Sequence, residues 1–232
     1  MVISIHQPDY IPYLGYFYKM AKSDKFVYLD DCQYSNDNMH NWNKVKTPQG
    51  ECRLKIPVEN HLGDLICAVR TKDELGWKQK HLKTIEMNYS KAPFFGEIFP
   101  KFKEIVMAEY KSIADMNIAI NSWIAREFGF KCEFYRSSEI ELDSVREERV
   151  IDICVALGGD KYISGHGAAV YQVEEHFTSR GVALEYTDYK PIEYKQQWKK
   201  VGFLPYMSVI DYIFNYGFDW KQVEEAVKAI TE

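Results

Sequence analysis

The first thirty residues constrain this chain more than any other feature. Val2-Ile3-Ser4-Ile5 is apolar or small throughout and runs straight into His6, as a buried strand does. Pro8 and Pro12 then interrupt regular pairing, and Pro12 suits the first position of a helix. Residues 12–22 place Leu14, Phe17, Tyr18 and Ala21 on one helical face, and Lys25-Phe26-Val27-Tyr28-Leu29 reads as a second strand. Strand, helix and strand within about thirty residues make a βαβ unit, which requires parallel strands joined by a right-handed crossover.

The rest of the chain extends that scheme. Residues 35–50 are polar and rich in turn formers, so an irregular stretch is expected there. Two short runs, 52–58 and 64–71, read as a hairpin inserted into the α/β scheme, with Gly63 in its connection. Helices are expected over 76–88, 97–112 and 115–128; Ile98, Phe102, Ile105, Val106 and Tyr110 give the second its apolar face. Alternation then returns, with strands at 131–135, 161–163 and 182–186, helices at 147–157 and 168–177, and a last helical region from Ser208. No repeat or low-complexity linker divides the 232 residues. Residues 1–232 therefore read as one α/β domain, a parallel sheet with an inserted β-hairpin and a helical cluster.

Composition narrows the function classes. At 46% hydrophobic and 27% charged residues the chain suits a soluble globular protein. A net charge of −5, mixed along the chain, provides no basic stripe for phosphate neutralisation, which argues against a nucleic-acid partner. Cys32, Cys52, Cys67, Cys132 and Cys154 are odd in number and contain no CxxC, so neither a disulfide framework nor a structural zinc site is expected. With no signal segment and no run of 18 apolar residues, the expected location is cytoplasmic. Aromatic residues reach 15%, including 17 Tyr, which suits stacking on sugars or flat rings as well as a Tyr-rich core.

The chemistry-bearing residues gather at strand exits. His6-Gln7-Pro8-Asp9-Tyr10 follows the first strand and Asp30-Asp31-Cys32-Gln33-Tyr34 follows the second. Parallel strands open toward one side, so His6, Gln7, Asp30 and Gln33 are expected around one crevice, where open α/β sheets bind ligands. A carboxylate beside an imidazole can orient a general base, which assigns catalytic roles to His6 and Asp30. Alternatively His6 and Gln7 tie down a turn, and Asp30 and Asp31 face solvent. A third exit, Tyr162-Ile163-Ser164-Gly165-His166-Gly167, offers small residues that let backbone N–H groups approach an anion, or it is simply a helix cap. Trp77 and His81, four apart, share one helical face; they stack on and hydrogen-bond a ligand or pack at a helix interface. The histidines show no HxH or HxxxH spacing, and no metal site is expected.

The segment His6-Gln7-Pro8-Asp9-Tyr10-Ile11-Pro12-Tyr13-Leu14-Gly15 resembles the WbqC-like family. The likeness continues through residues 24–34 and returns at Trp77, Lys80-His81, Asn88-Tyr89, residues 162–165, Ser208-Val209-Ile210-Asp211 and Phe214-Asn215-Tyr216-Gly217. Two departures are Tyr13, where the family often has Trp, and His40-Asn41-Trp42-Asn43, where an Arg between the asparagines is common. The resemblance implies a bacterial cytoplasmic protein of O-antigen or other surface-polysaccharide synthesis. It would modify a nucleotide-linked amino sugar by forming an amide on the sugar amine. His6, Asp30 and His81 would be its catalytic residues. Gln7, Asp9, Tyr10, Tyr13, Gln33, Asn41, Trp77, Lys80, Ser164, Gly165, Ser208, Asp211 and Asn215 would bind substrate. A strand, a His-containing break and a later Ile-Ser-Gly turn are also similar to adenylyl-transferring proteins of the HIGH-motif superfamily. That likeness implies a Rossmann-like, HUP/nucleotidyltransferase-like sheet and ATP–Mg or an acyl donor as co-reactant. The rivals are a non-catalytic sugar-nucleotide binding partner and an ATP-dependent nucleotidyltransferase. The aromatic C-terminal region (Phe203, Tyr206, Tyr212, Phe214, Trp220) is expected to close the core rather than form a homo-oligomer interface.

Overall fold

A computed structural model describes residues 1–231. Its centre is a parallel five-stranded sheet built from β1 (Val2–His6), β2 (Lys25–Tyr28), β7 (Glu133–Arg136), β8 (Lys161–Ser164) and β9 (Ala183–Tyr186), in the order β7-β2-β1-β8-β9. From β1 the chain first winds one way, to β2 and then β7, and afterwards crosses to β8 and β9 on the other side. That is the Rossmann-like order, with its topological switch point between β1 and β8.

Alternation along β1 assigns its side chains to two layers. Ile3 and Ile5 join Val27, Tyr162 and Phe177 in a core beneath α5 (Arg146–Ala156) and α6 (Glu174–Thr178). Ser4 and His6 point the other way. On that face Phe26 and Tyr28 pack into the larger core with α1 (Leu14–Ala21), α4 (Ile113–Glu127), α7 (Val209–Tyr216) and α8 (Trp220–Thr231). Helices α2 (Trp77–Tyr89) and α3 (Phe95–Met107) complete the helical cluster between β2 and β7. No helix among the described residues is long and apolar enough to cross a membrane.

Several expected boundaries shift, each for a physical reason. The hairpin is not 52–58 with 64–71: β3 (Trp42–Thr47) pairs antiparallel with β4 (Gly50–Lys55), while β5 (Val58–Glu59) and β6 (Arg70–Thr71) form a separate two-residue ladder. The Asn-rich stretch expected to be irregular therefore contains a strand. Two of its asparagines reach outward instead of making local turns, Asn41 Nδ2 to the Ile56 carbonyl and Asn43 Nδ2 to those of Tyr10 and Ile11. The turn between β3 and β4 is made by Thr47, whose hydroxyl bonds Gly50, and by Gly50 at φ +105°. Helix α1 begins at Leu14 rather than Pro12, because Pro12 lends its carbonyl to the Val209 amide at the start of α7. Over 168–177 a 3₁₀ turn (His166–Tyr171) precedes the short α6. In the C-terminal region Tyr212, Phe214 and Trp220 are core residues as expected, but Tyr206 is 52% exposed.

Asp30 and Asp31 are not solvent-facing. Asp30 is fully buried and accepts from Arg136 Nε at 2.8 Å, the Ser138 amide at 3.0 Å and the Ser138 hydroxyl at 2.9 Å. Arg136 also reaches Asp115 at 2.7 Å, and Asp31 pairs with Arg149 and Ser137. This network ties the end of β2 to β7, α4 and α5. Arg136→Met would strand a buried carboxylate, and we expect a loss of about 3–5 kcal/mol in urea unfolding. A loss under about 1 kcal/mol, the range of a solvated surface pair, would contradict the buried network.

Candidate functional site

The segment leaving β1 is buried, yet Gln7 to Pro12 belongs to no helix or ladder, so its carbonyls need side-chain partners. Those partners come from distant elements. Asn117 Nδ2 donates to Pro8 O at 2.9 Å and His40 O at 2.8 Å, and Asn121 Nδ2 donates to Asp9 O at 2.9 Å, both from α4. Asn43 serves Tyr10 and Ile11, the Tyr16 hydroxyl serves Gln7, and the Ser208 hydroxyl serves Ile11 at 2.7 Å. The segment is thereby held with Ile11 at φ +38°, a strained value for a β-branched residue.

The clamp fixes His6 at the mouth of a cleft of about 470 Å³ between the C-terminal ends of β1 and β8. Its lining includes Tyr13, Gly15, Tyr16 and Lys19 from the α1 side, Ser164 to Ala168 from the β8 exit, and Thr187, Tyr189 and Tyr206. Tyr13 stands edge-on to Tyr189 and Tyr206, with ring centres 5.9 and 5.6 Å apart, forming an aromatic wall. Gly15 permits that wall: a Cβ there would meet the Tyr13 ring at 2.3 Å and Tyr189 at 2.7 Å. Opposite, His166 stacks on Tyr186 at 5.8 Å.

His6 Nδ1 lies 3.0 Å from the Gln7 carbonyl. A carbonyl only accepts, so Nδ1 carries the proton and Nε2 is left as the acceptor. The ring packs edge-on against Tyr16 while 37% of the side chain stays open to the cleft. Burial and then the nearby Lys19 charge push its pKa down to about 4, so His6 is neutral at physiological pH. Asp9 lies behind it, with Oδ2 3.8 Å from His6 Nδ1 and Oδ1 3.3 Å from Nδ1 of the fully buried His40. The carboxylate beside His6 is thus Asp9. Asp30, expected in that place, is committed to Arg136 and Ser138.

Lys19 escaped the sequence reading. It is only 4% exposed and follows Gly15 by one helical turn, and its ammonium makes no hydrogen bond or ion pair among the described residues; the field of Asp9 favours its charge. Burial lowers its pKa to about 7. Its position as the one charged residue in the run Leu14–Ala21 was the available signal. Ser164 Oγ, 1% exposed and lining the same cleft, likewise lacks a well-aligned hydrogen bond.

Other expected site residues lie elsewhere. Gln7 contacts Cys32 and Asn38 at the far side of the loop, and Gln33 is exposed beside Leu65. Tyr10 is buried and its hydroxyl donates to His81 Nδ1 at 3.2 Å, while His81 Nε2 donates to the Lys55 carbonyl. Both His81 nitrogens are therefore used in anchoring α2. Trp77 bonds Asp73, Lys80 bonds Leu75, and Asn41 holds Ile56. Ser208 caps α7, and Asp211 accepts from Tyr89 at 2.7 Å. Asn215 borders a separate cleft of about 500 Å³ with Lys91, Lys195 and Trp198. A depression of about 620 Å³ between Tyr18, Lys22, Asp188 and α8 contains none of the expected residues. No group of three or more His, Cys, Asp or Glu is placed to hold a metal ion among the described residues.

Two outcomes follow from this geometry. Asn117→Ala orphans two buried carbonyls and should cost about 1–3 kcal/mol for each in chemical denaturation; an unchanged midpoint would contradict the clamp. Lys19→Met should raise the melting temperature, by roughly 2–4 °C per kcal/mol relieved, since it removes an unpaired buried cation. The unfolded chain protonates Lys19 up to its ordinary value of 10.5, the folded chain only to about 7. Between those values the unfolded state binds the extra proton, so this residue makes wild-type stability rise with pH there, and its full penalty stands below pH 7. Lys19→Met should remove that rise; an unchanged pH slope would contradict the assignment.

Similar proteins bear on the same elements. An uncharacterized protein of Mycobacterium tuberculosis (strain ATCC 25618 / H37Rv), Rv1507c, is 31% identical over 219 residues, which cover 93% of this chain and 94% of the relative. No solved structure matches the chain. The sequence pattern of the WbqC-like protein family matches residues 7–223, from the loop after β1 into α8, and the chain belongs to that family.

Proposed function

We propose that the β1–β8 cleft binds a nucleotide-linked amino sugar and that the protein transfers an acyl or aminoacyl group to the sugar amine, forming an amide for surface-polysaccharide synthesis. The observation that carries this reading is His6: a neutral imidazole, its tautomer set by the Gln7 carbonyl, presents Nε2 to a cleft walled by tyrosines. In the reaction the amine nitrogen attacks the donor's carbonyl carbon, the new C–N bond forms and the bond to the leaving group breaks. His6 Nε2 takes the amine proton and returns it to the leaving group. Asp9 orients the imidazole in place of Asp30. Tyr13, Tyr189 and Tyr206 offer faces for the sugar or base, and Ser164 and Gly165, which line the cleft at the β8 exit, would receive its phosphate.

The strand order favours one further reading. His6 after β1 and Ser164 after β8 flank the switch point, the place where adenylyl-transferring folds hold a nucleoside triphosphate. ATP-dependent activation of the acyl donor would then precede attack by the amine. Pyrophosphate release on mixing with ATP–Mg and a carboxylic acid distinguishes this route from a pre-activated donor.

The test is product formation from dTDP- or UDP-linked amino sugars with acyl-CoA or aminoacyl donors, followed by mass. His6→Asn should lower turnover by about 10²–10⁴-fold while the melting curve stays close to wild type. Full turnover in His6→Asn would overturn the base assignment. Binding of amino sugars without any product, from any donor, would make the protein a sugar-nucleotide carrier instead.

A further inference from the structure

The cleft floor contains two polar side chains, Lys19 and the Ser164 hydroxyl, to which the acylation reading gives no role. Lys19 and Ser164 are each more than nine-tenths buried and line the same cleft, Lys19 from α1 and Ser164 from the β8 exit. No hydrogen bond or ion pair of the Lys19 ammonium is found among the described residues, and the Ser164 hydroxyl has only a poorly aligned contact with the Tyr162 phenol. A buried ammonium without a counter-ion is costly, and a buried hydroxyl without a well-aligned partner adds to that cost. Folds retain such groups where a ligand completes them. We propose that Lys19 and Ser164 form an oxyanion-binding subsite in the floor of the β1–β8 cleft, taking a phosphoryl or carboxylate group as the counter-ion to Lys19. Nζ donates to one oxygen and Ser164 Oγ–H to another. The Gly165 to Gly167 backbone, whose added Cβ atoms would meet nothing within 4 Å, leaves open approach beside them.

The subsite is coupled to His6. After desolvation, the Lys19 charge is the largest influence lowering the His6 pKa, while Asp9 opposes it and His40 adds to it. The other titratable groups around the floor are Tyr13 and Tyr16 from the α1 side, Tyr162 and His166 from the β8 side, and Tyr189 and Tyr206. Burial raises Tyr13, Tyr16, Tyr162 and Tyr189 above their ordinary value, so those phenols stay neutral near pH 7. Burial is the larger cause of the low His6 pKa, and an anion beside Lys19 offsets the second cause, the Lys19 charge, so His6 basicity rises. Occupation of the floor thereby prepares the imidazole at the mouth. The subsite does not depend on acyl transfer: anion binding would stand even if no acyl product ever formed.

Calorimetric titration with inorganic pyrophosphate in one arm and acetate in the other, near neutral pH and in two buffers of different ionisation enthalpy, tests it. The expected result is saturable binding of at least one anion with proton uptake. Affinity should fall about tenfold or more in Lys19→Met and less in Ser164→Ala, because the first removes a charge-assisted bond and the second a neutral one. Binding of pyrophosphate alone assigns a phosphoryl group, and binding of acetate alone assigns a carboxylate. Should Lys19→Met fail to fold, the wild-type protein still decides: the His6 titration midpoint, followed by NMR, should move upward when the anion is present. No binding of either anion at tens of millimolar, equal binding by a folded Lys19→Met, or a His6 midpoint that the bound anion leaves unmoved would overturn the proposal.

Discussion

The buried carbonyls between Gln7 and Pro12 are the constraint on which the structure turns. A segment that leaves a central strand without entering a helix cannot satisfy its own backbone, and Pro8 and Pro12 remove two donors as well. Asn117 and Asn121 from α4, Asn43 from β3, Tyr16 from α1 and Ser208 at the start of α7 meet that requirement. Elements separated by up to 197 positions in sequence therefore converge on one loop. The helical cluster and the hairpin are not appendages to the parallel sheet; they supply the donors that hold the β1 exit in its strained course. His6 inherits its orientation from that arrangement.

Charge is distributed in two contrasting ways around the sheet edge. On the β2–β7 side, the three carboxylates of Asp30, Asp31 and Asp115 are each paired with one of two guanidiniums, Arg136 and Arg149, which suits a structural joint. On the β1–β8 side, Lys19 forms no ion pair among the described residues, Asp9 lies between two imidazoles, and the Ser164 hydroxyl has only a poorly aligned contact with Tyr162. The first arrangement stabilises; the second is tolerated only where something else is gained. That contrast favours the β1–β8 switch point over the β2–β7 edge as the place for the proposed ligand, although both follow strands with polar exits.

The βαβ unit and the parallel sheet were legible because strand and helix periodicities change cleanly over residues 2–29, and His6 was legible because it ends a buried strand. The position of Asp30 was legible, but its partner was not: Arg136 lies 106 positions away, and nothing local distinguishes a carboxylate facing a crevice from one facing an arginine. The β3 strand was hidden because asparagine favours turns locally, whereas Asn41 and Asn43 spend their amides on distant carbonyls. Trp77, His81, Ser208 and Asp211 make hydrogen bonds that join packed elements, partnerships that no local sequence pattern announces. Lys19 was missed because a lysine on a helix is ordinarily a solvated residue, and only the fold reveals that it is buried.

The account's central claim is that ligand enters the β1–β8 cleft and meets His6 at its mouth. Histidine-selective NMR during titration with a dTDP- or UDP-linked amino sugar tests it most directly. The predicted result is a saturable shift of the His6 and His166 ring signals, with those of His81 and His61 unchanged. A shift of His81 with His6 unmoved, or a footprint around Asn215 and Trp198 instead, would place the site elsewhere and contradict the account.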